Sequence, residues 1–115
     1  MSGRGRRRLA AARLAHAPVF AALGDATRLS LVAKLCEGSP RSISQLTKGS
    51  TLTRQAISKH LRVLQNAGIV ARARVGRESR YAFRQKPIDD VKNYLDCVSR
   101  QWDEALGRLT AFVEH

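Results

Sequence analysis

The side chains best suited to chemistry in this chain lie within one short run, TRQAISKHLRVLQNAGIV, residues 53–70. They are Thr53, Arg54, Gln55, Ser58, Lys59, His60 and Arg62. The set suits recognition better than bond-breaking. An arginine can bond bidentately to guanine O6 and N7, and a glutamine to adenine N6 and N7. Ser58 and His60 can reach a base or a phosphate. Lys59 and Arg62 suit phosphates, whose neutralisation fixes register and raises salt dependence. A second basic run, ARARVGRESRYAFRQ, follows at once, with Arg77 and Arg80 placed for a minor groove or a backbone. Between Arg54 and Lys86 there are nine Lys/Arg and one acid, Glu78.

These residues need a frame that presents them together. Thr53 has the character of an N-cap, with Leu52 and Ile57 at the spacing of a hydrophobic staple. Ala56, Ile57, Leu61 and Leu64 then face inward, and Arg54, Gln55, Ser58, Lys59 and Arg62 are left on the outer face, while a histidine at position 60 can also pack against the neighbouring helix. The short helix SISQLTKG, residues 42–49, precedes it through a turn at Ser50, Thr51 and Leu52. Two helices joined so tightly make a helix-turn-helix. After Gly68 the period changes to two. Ala71, Ala73 and Val75 alternate with Arg72 and Arg74, and Tyr81 and Phe83 alternate with Arg80, Ala82 and Arg84. That pattern predicts a hairpin turning through 76–79.

Upstream, VFAALG ends a first helix at Gly24, and Asp25 caps a second, ATRLSLVAKLCEG. Its inward line is expected to be Leu29, Val32, Ala33 and Cys36, with Leu31 and Leu35 beside them. Downstream, Pro87 starts a long helix from about Ile88 to Val113. Ile88, Val91, Leu95, Val98, Trp102, Ala105, Leu109 and Phe112 recur at intervals of three and four. A small domain has little core left to cover so long a seam, which points to a second copy of the chain.

The chain has 115 residues, enough for one domain, and 43% are hydrophobic but only 5% aromatic. The expected division is a basic arm, 1–14, either disordered or a helix extension, and a DNA-binding and dimerisation domain, 15–115. The arm has the Arg-rich composition of a transit peptide without a secretory apolar core. The net charge of +12 is uneven: residues 87–115 carry three Lys/Arg and six acids. A charge so divided calls for a polyanionic partner, nucleic acid above all, and the helix with its hairpin makes double-stranded DNA the expected one. No apolar run approaches the length of a membrane span. Two isolated cysteines, Cys36 and Cys97, make no disulfide framework, which fits a cytoplasmic protein, and helical spacing favours a buried Cys36. No Ser/His/Asp order, phosphate loop or carboxylate pair suggests an enzyme.

In FAALGDATRLSLVAKL, TRQAISKHLRVLQNAGIV and ARARVGRESRYAF the chain resembles the ArsR-type (ArsR/SmtB) winged helix-turn-helix repressors. The resemblance spans about residues 18–113. It implies a mainly α fold of about five helices with a two-stranded wing. It also implies a bacterial homodimer, paired through the first and last helices, that represses from an inverted-repeat operator. On that basis Val19, Phe20, Leu23, Val91, Leu95, Val98, Trp102 and Leu109 are the expected dimer contacts. The branch is one without metal ligands: ISQLTKG stands where metal sensors carry Cys-Val-Cys, and the last helix has only His115 near its acids. No cofactor or metal is expected; a small-molecule or redox effector is possible but not indicated. The competing reading is a basic protein that binds nucleic acid without sequence preference.

Overall fold

A computed structural model describes residues 3–114. Five helices and a small antiparallel sheet follow one another as α1 (Gly3–Leu23), α2 (Ala26–Cys36), β1 (Arg41–Ser42), α3 (Ile43–Thr47), α4 (Arg54–Asn66), β2 (Val70–Val75), β3 (Glu78–Phe83) and α5 (Gln85–Glu114). The sheet order is β1-β3-β2. Together they make a winged helix-turn-helix.

Local chemistry sets most boundaries. The Asp25 side chain accepts from the Arg28 backbone N–H at 2.9 Å and starts α2. Ser42 and Gln45 form a reciprocal capping box on α3. Thr53 caps α4 by accepting from the Ala56 N–H at 3.1 Å. Gly68 ends α4 at φ 79°. Its N–H reaches the Gln65 carbonyl and that of Ile69 reaches the Leu64 carbonyl, the bond pair of a Schellman stop. The chain then leaves directly into β2.

The core gathers one face from each element. Val19 and Ala22 of α1, Leu31 and Leu35 of α2, and Leu46 of α3 pack with Ile57, Leu61 and Leu64 of α4. Ile69, Val70, Tyr81 and Val91 complete it. On α2 the structure corrects the expected inward line. Leu31 and Leu35 are buried at 3% and 2%, whereas Leu29 is 51% exposed and Cys36 is exposed. The helix is apolar on two sides, and packing against α4 selects the Leu31/Leu35 side.

Two further details depart from the sequence reading. The long helix begins at Gln85, so Pro87 sits in its first turn, where a missing N–H costs nothing. The sheet gains a third strand, β1, whose Arg41 and Ser42 pair with Tyr81 and Arg80. At two residues it is too short to leave a periodic signal.

The molecule is elongated. Its radius of gyration is 19.0 Å and its extents are 67 × 28 × 22 Å, against about 13 Å for the radius of a compact domain of this length. The excess comes from α1 and α5, which run beyond the core as a helical pair. Pro18 lies inside α1, where it cannot bond to the Leu14 carbonyl. The helix is therefore held by packing on α5 more than by propensity. His16 and Phe20 meet the Tyr94 ring at 5.4 and 6.1 Å.

Candidate nucleic-acid interface

Helix α4 buries Ile57, Leu61 and Leu64 at 0–1% exposure and so fixes which side faces out. Arg54, Gln55, Lys59 and Arg62 are exposed there, and Ser58 is half-buried at the edge. Thr53 spends its hydroxyl oxygen on the cap. The outer face is therefore a row of donors with no acid among them.

His60 stands elsewhere. At about 100° per residue it falls on the opposite flank from Ser58, toward α2. Its Nδ1 lies 3.3 Å from Arg28 Nη1 and 3.8 Å from Asp25 Oδ2. The same Arg28 guanidinium donates to the carbonyls of Ala22 at 2.6 Å and Ala21 at 3.3 Å, at the end of α1. This node joins α1, α2 and α4. The Arg28 backbone N–H is the main reason the Asp25 carboxyl titrates below its ordinary range. Partial desolvation opposes that shift, and the Arg28 and His60 charges reinforce it. His60 thus belongs to the support of α4 in this geometry, not to its outer face.

The wing is a two-residue hairpin, tighter than the turn over 76–79 that the pattern suggested. Gly76 takes φ 65° and Arg77 a negative φ, the pattern of a type II′ turn with glycine at its first central position. The register sets Arg72 opposite Tyr81 and Arg74 opposite Ser79, with Ala73 opposite Arg80. Directly paired residues share a face, so Arg72 and Arg74 stand on the Tyr81 side and Arg80 on the other. Basic charge therefore wraps the hairpin. Arg80 is engaged by Glu78 at 3.1 Å.

The pairing of β1 with β3 brings the start of α3 beside the wing tip. A shallow concavity of about 210 Å³ results, lined by Ser42, Ser44, Arg54, Arg77 and Ser79 among others. It joins the first residue of α4 to the tip of the hairpin. Ser44 and Ser79 were not singled out by sequence, because only the β1–β3 pairing places them there.

The expected dimer residues divide into two groups. Val19 and Val91 are buried at 7% and 5% within their own chain, and Leu23 packs partly against the same core. Those three are already used inside the subunit, and Val98 is half-buried. Phe20, Leu95, Trp102 and Leu109 are 37–64% exposed. Leu106, absent from the expected seam, is 51% exposed and joins Leu95, Trp102, Leu109 and Val113 on one side of α5.

Among the described residues no three His, Cys, Asp or Glu side chains cluster as a metal site; His115 lies outside them. No described helix is long and apolar enough to cross a membrane. Cys97 is half-buried, 3.5 Å from Arg100 Nη2.

Residues 25–72 match the family of bacterial regulatory proteins of the arsR type. An uncharacterized HTH-type transcriptional regulator of Bacillus subtilis, YuzN, is 35% identical over 79 residues, 64% of this chain and 86% of the relative. The arsenical resistance operon repressor of the same organism is 27% identical over 86 residues, 74% of this chain and 82% of that one. The solved structure of an ArsR-like transcriptional regulator from Rhodococcus sp. RHA1 superposes with a TM-score of 0.76 at 35% identity, covering 86% of this chain and 92% of that one. The chain belongs to the arsR family and is a DNA-binding transcriptional regulator, not an enzyme.

Proposed function

We propose that the protein acts as a homodimeric repressor on an inverted-repeat operator. Each subunit inserts α4 into a major groove and lays its wing on the neighbouring backbone or minor groove. Arg54 and Gln55 read base edges, Ser58 assists, and Lys59, Arg62 and the Thr53 end of the helix hold phosphates. Arg77 serves the wing, with Arg80 beside it. His60 positions α4 through Arg28. The observation that supports the reading is the concavity shared by Arg54 and Arg77, which puts the first residue of α4 and the wing tip on one surface. The direction of control, repression, rests on the arsenical resistance operon repressor among the relatives. Dimerisation rests on the exposed apolar strip of α5.

The test compares Arg54→Ala with Lys59→Ala on an operator duplex and on single-base variants of it. Arg54→Ala should cost about 1–3 kcal/mol and relax preference at one position per half-site. Lys59→Ala should weaken all duplexes alike and lower the salt slope by about one. Uniform weakening by Arg54→Ala would make that residue a phosphate contact and remove it from the base-reading set.

A further inference from the structure

The proposed DNA-reading surface leaves one strongly charged region unused. The first turns of α1 carry Arg4, Arg6, Arg7, Arg8 and Arg13 with no acid among them. All five side chains are exposed. Among the described residues none of them makes an ion pair, although α5 alongside carries Asp96, Asp103 and Glu104.

This segment is not a loose tail. Gly5, Leu9, Ala12, His16, Val19 and Leu23 follow one another at intervals of three and four, and every one is partly or fully buried. That line is the docking edge of α1, and α1 packs on α5. The arginines occupy the rest of the circumference. Arg4, Arg7 and Arg8, at i, i+3 and i+4, share one side, while Arg6 and Arg13 share another.

Such an arrangement is electrostatically unfavourable for the chain alone. Arg4 repels Arg7 and Arg8 across one turn. Arg4 and Arg6 also stand in the first turn, at the positive end of the helix dipole, where an acid would be stabilising. A helix optimised only for stability would carry alanine or glutamate there. A polyanion lying along it removes both penalties.

We infer that the first turns of α1 form a second DNA contact, a rigid cationic edge that binds duplex phosphates without reading bases. The inference rests on the proposed operator-binding role of α4 and adds a surface to it. The edge adds affinity and salt dependence but no sequence preference, because its side chains meet only the backbone.

The test uses the full chain carrying Arg4→Ala, Arg7→Ala and Arg8→Ala together. These exposed arginine-to-alanine changes favour the helix, so the thermal midpoint should hold or rise. Binding is measured to a random-sequence duplex of about 40 base pairs from 50 to 200 mM salt. Three lost phosphate contacts should flatten the log–log salt slope by about 2.7. The wild-type chain should then lose about 40-fold more affinity than the variant across that range. The ranking of single-base operator variants and the sedimentation coefficient should not change. An unchanged slope would overturn the inference. So would a lower sedimentation coefficient, which would make the arginines contacts to the acidic side of α5 in a second copy. Arg54→Ala, run in parallel, separates the two readings. If it alone loses base preference while the triple variant matches wild type, α4 reads the operator and the arm does not touch DNA.

Discussion

Replacing Trp102 with aspartate probes the half of α5 that the subunit leaves uncovered. The ring is 64% exposed, on a strip shared with Leu95 at 49%, Leu106 at 51%, Leu109 at 58% and Val113 at 73%. An indole of about 250 Å² with that exposure presents about 160 Å² to water. At about 25 cal/mol/Å², full cover by a partner is worth about 4 kcal/mol per ring. A two-fold dimer repeats each contact, so half-cover of both rings still contributes about 4 kcal/mol, or roughly 10³ in dissociation constant. Aspartate forfeits that term and adds a charge to an apolar strip. The ring takes no part in the subunit core, so the helical circular dichroism of the monomer should stay close to wild type. Sedimentation equilibrium over a wide concentration range reads the effect directly. The variant should be monomeric where the wild type is dimeric, and its operator binding should weaken because only one half-site is engaged at a time. A dissociation constant within a few-fold of wild type would place the dimer contact elsewhere.

The turn that releases α4 into the wing should be equally sensitive. Gly68 sits at φ 79°, and Gly68→Ala should cost about 1–2 kcal/mol, a fall of about 5–10 °C in thermal midpoint. Leu61, fully buried beneath the exposed face of α4, should cost about 2–5 kcal/mol as Leu61→Ala in urea unfolding; a loss under 1 kcal/mol would mean that the core collapses to fill the site. The Asp25 carboxyl titrates below its ordinary range, chiefly through the Arg28 backbone N–H. Its contribution to stability is therefore complete above the unfolded-state value of about 3.9 and disappears as pH falls through the lower folded value. Urea midpoints from pH 6 to pH 2 should decline less steeply for Asp25→Asn than for wild type, and parallel curves would remove Asp25 from the acid response.

What the sequence disclosed and what it concealed follow from the range of the interactions involved. The α4 face was legible because a staple, a cap and a 3.6-residue period all act within a few residues of one another. The alternation of the wing was legible for the same reason. Its register was not, since nothing local says that Arg72 lies opposite Tyr81. The strand β1 was hidden because two residues carry no period and the pairing partner lies some forty positions away. On α2 both Leu31/Leu35 and Leu29/Cys36 fit a helical stripe, and only the approach of α4 chooses between them. The partners of His60 were hidden too, because Asp25 and Arg28 lie more than thirty residues upstream of it. The apolar seam of α5 was visible as a pattern, but its division was not. The structure shows that Val91 belongs to the subunit, while Leu106 joins the uncovered strip.

The central claim is that two copies of α4 and its wing address one duplex together. Cleavage protection of the DNA upstream of the protein's own gene, read at single-nucleotide resolution, tests it most directly. Two protected half-sites related by a dyad are expected, with centres one helical turn, about 10–10.5 base pairs, or a multiple of it apart. Protection should disappear from both half-sites together in Trp102→Asp at concentrations where the wild type protects fully. Uniform protection with no dyad, at the same concentration on unrelated DNA, would contradict it and leave the chain a basic protein without an operator.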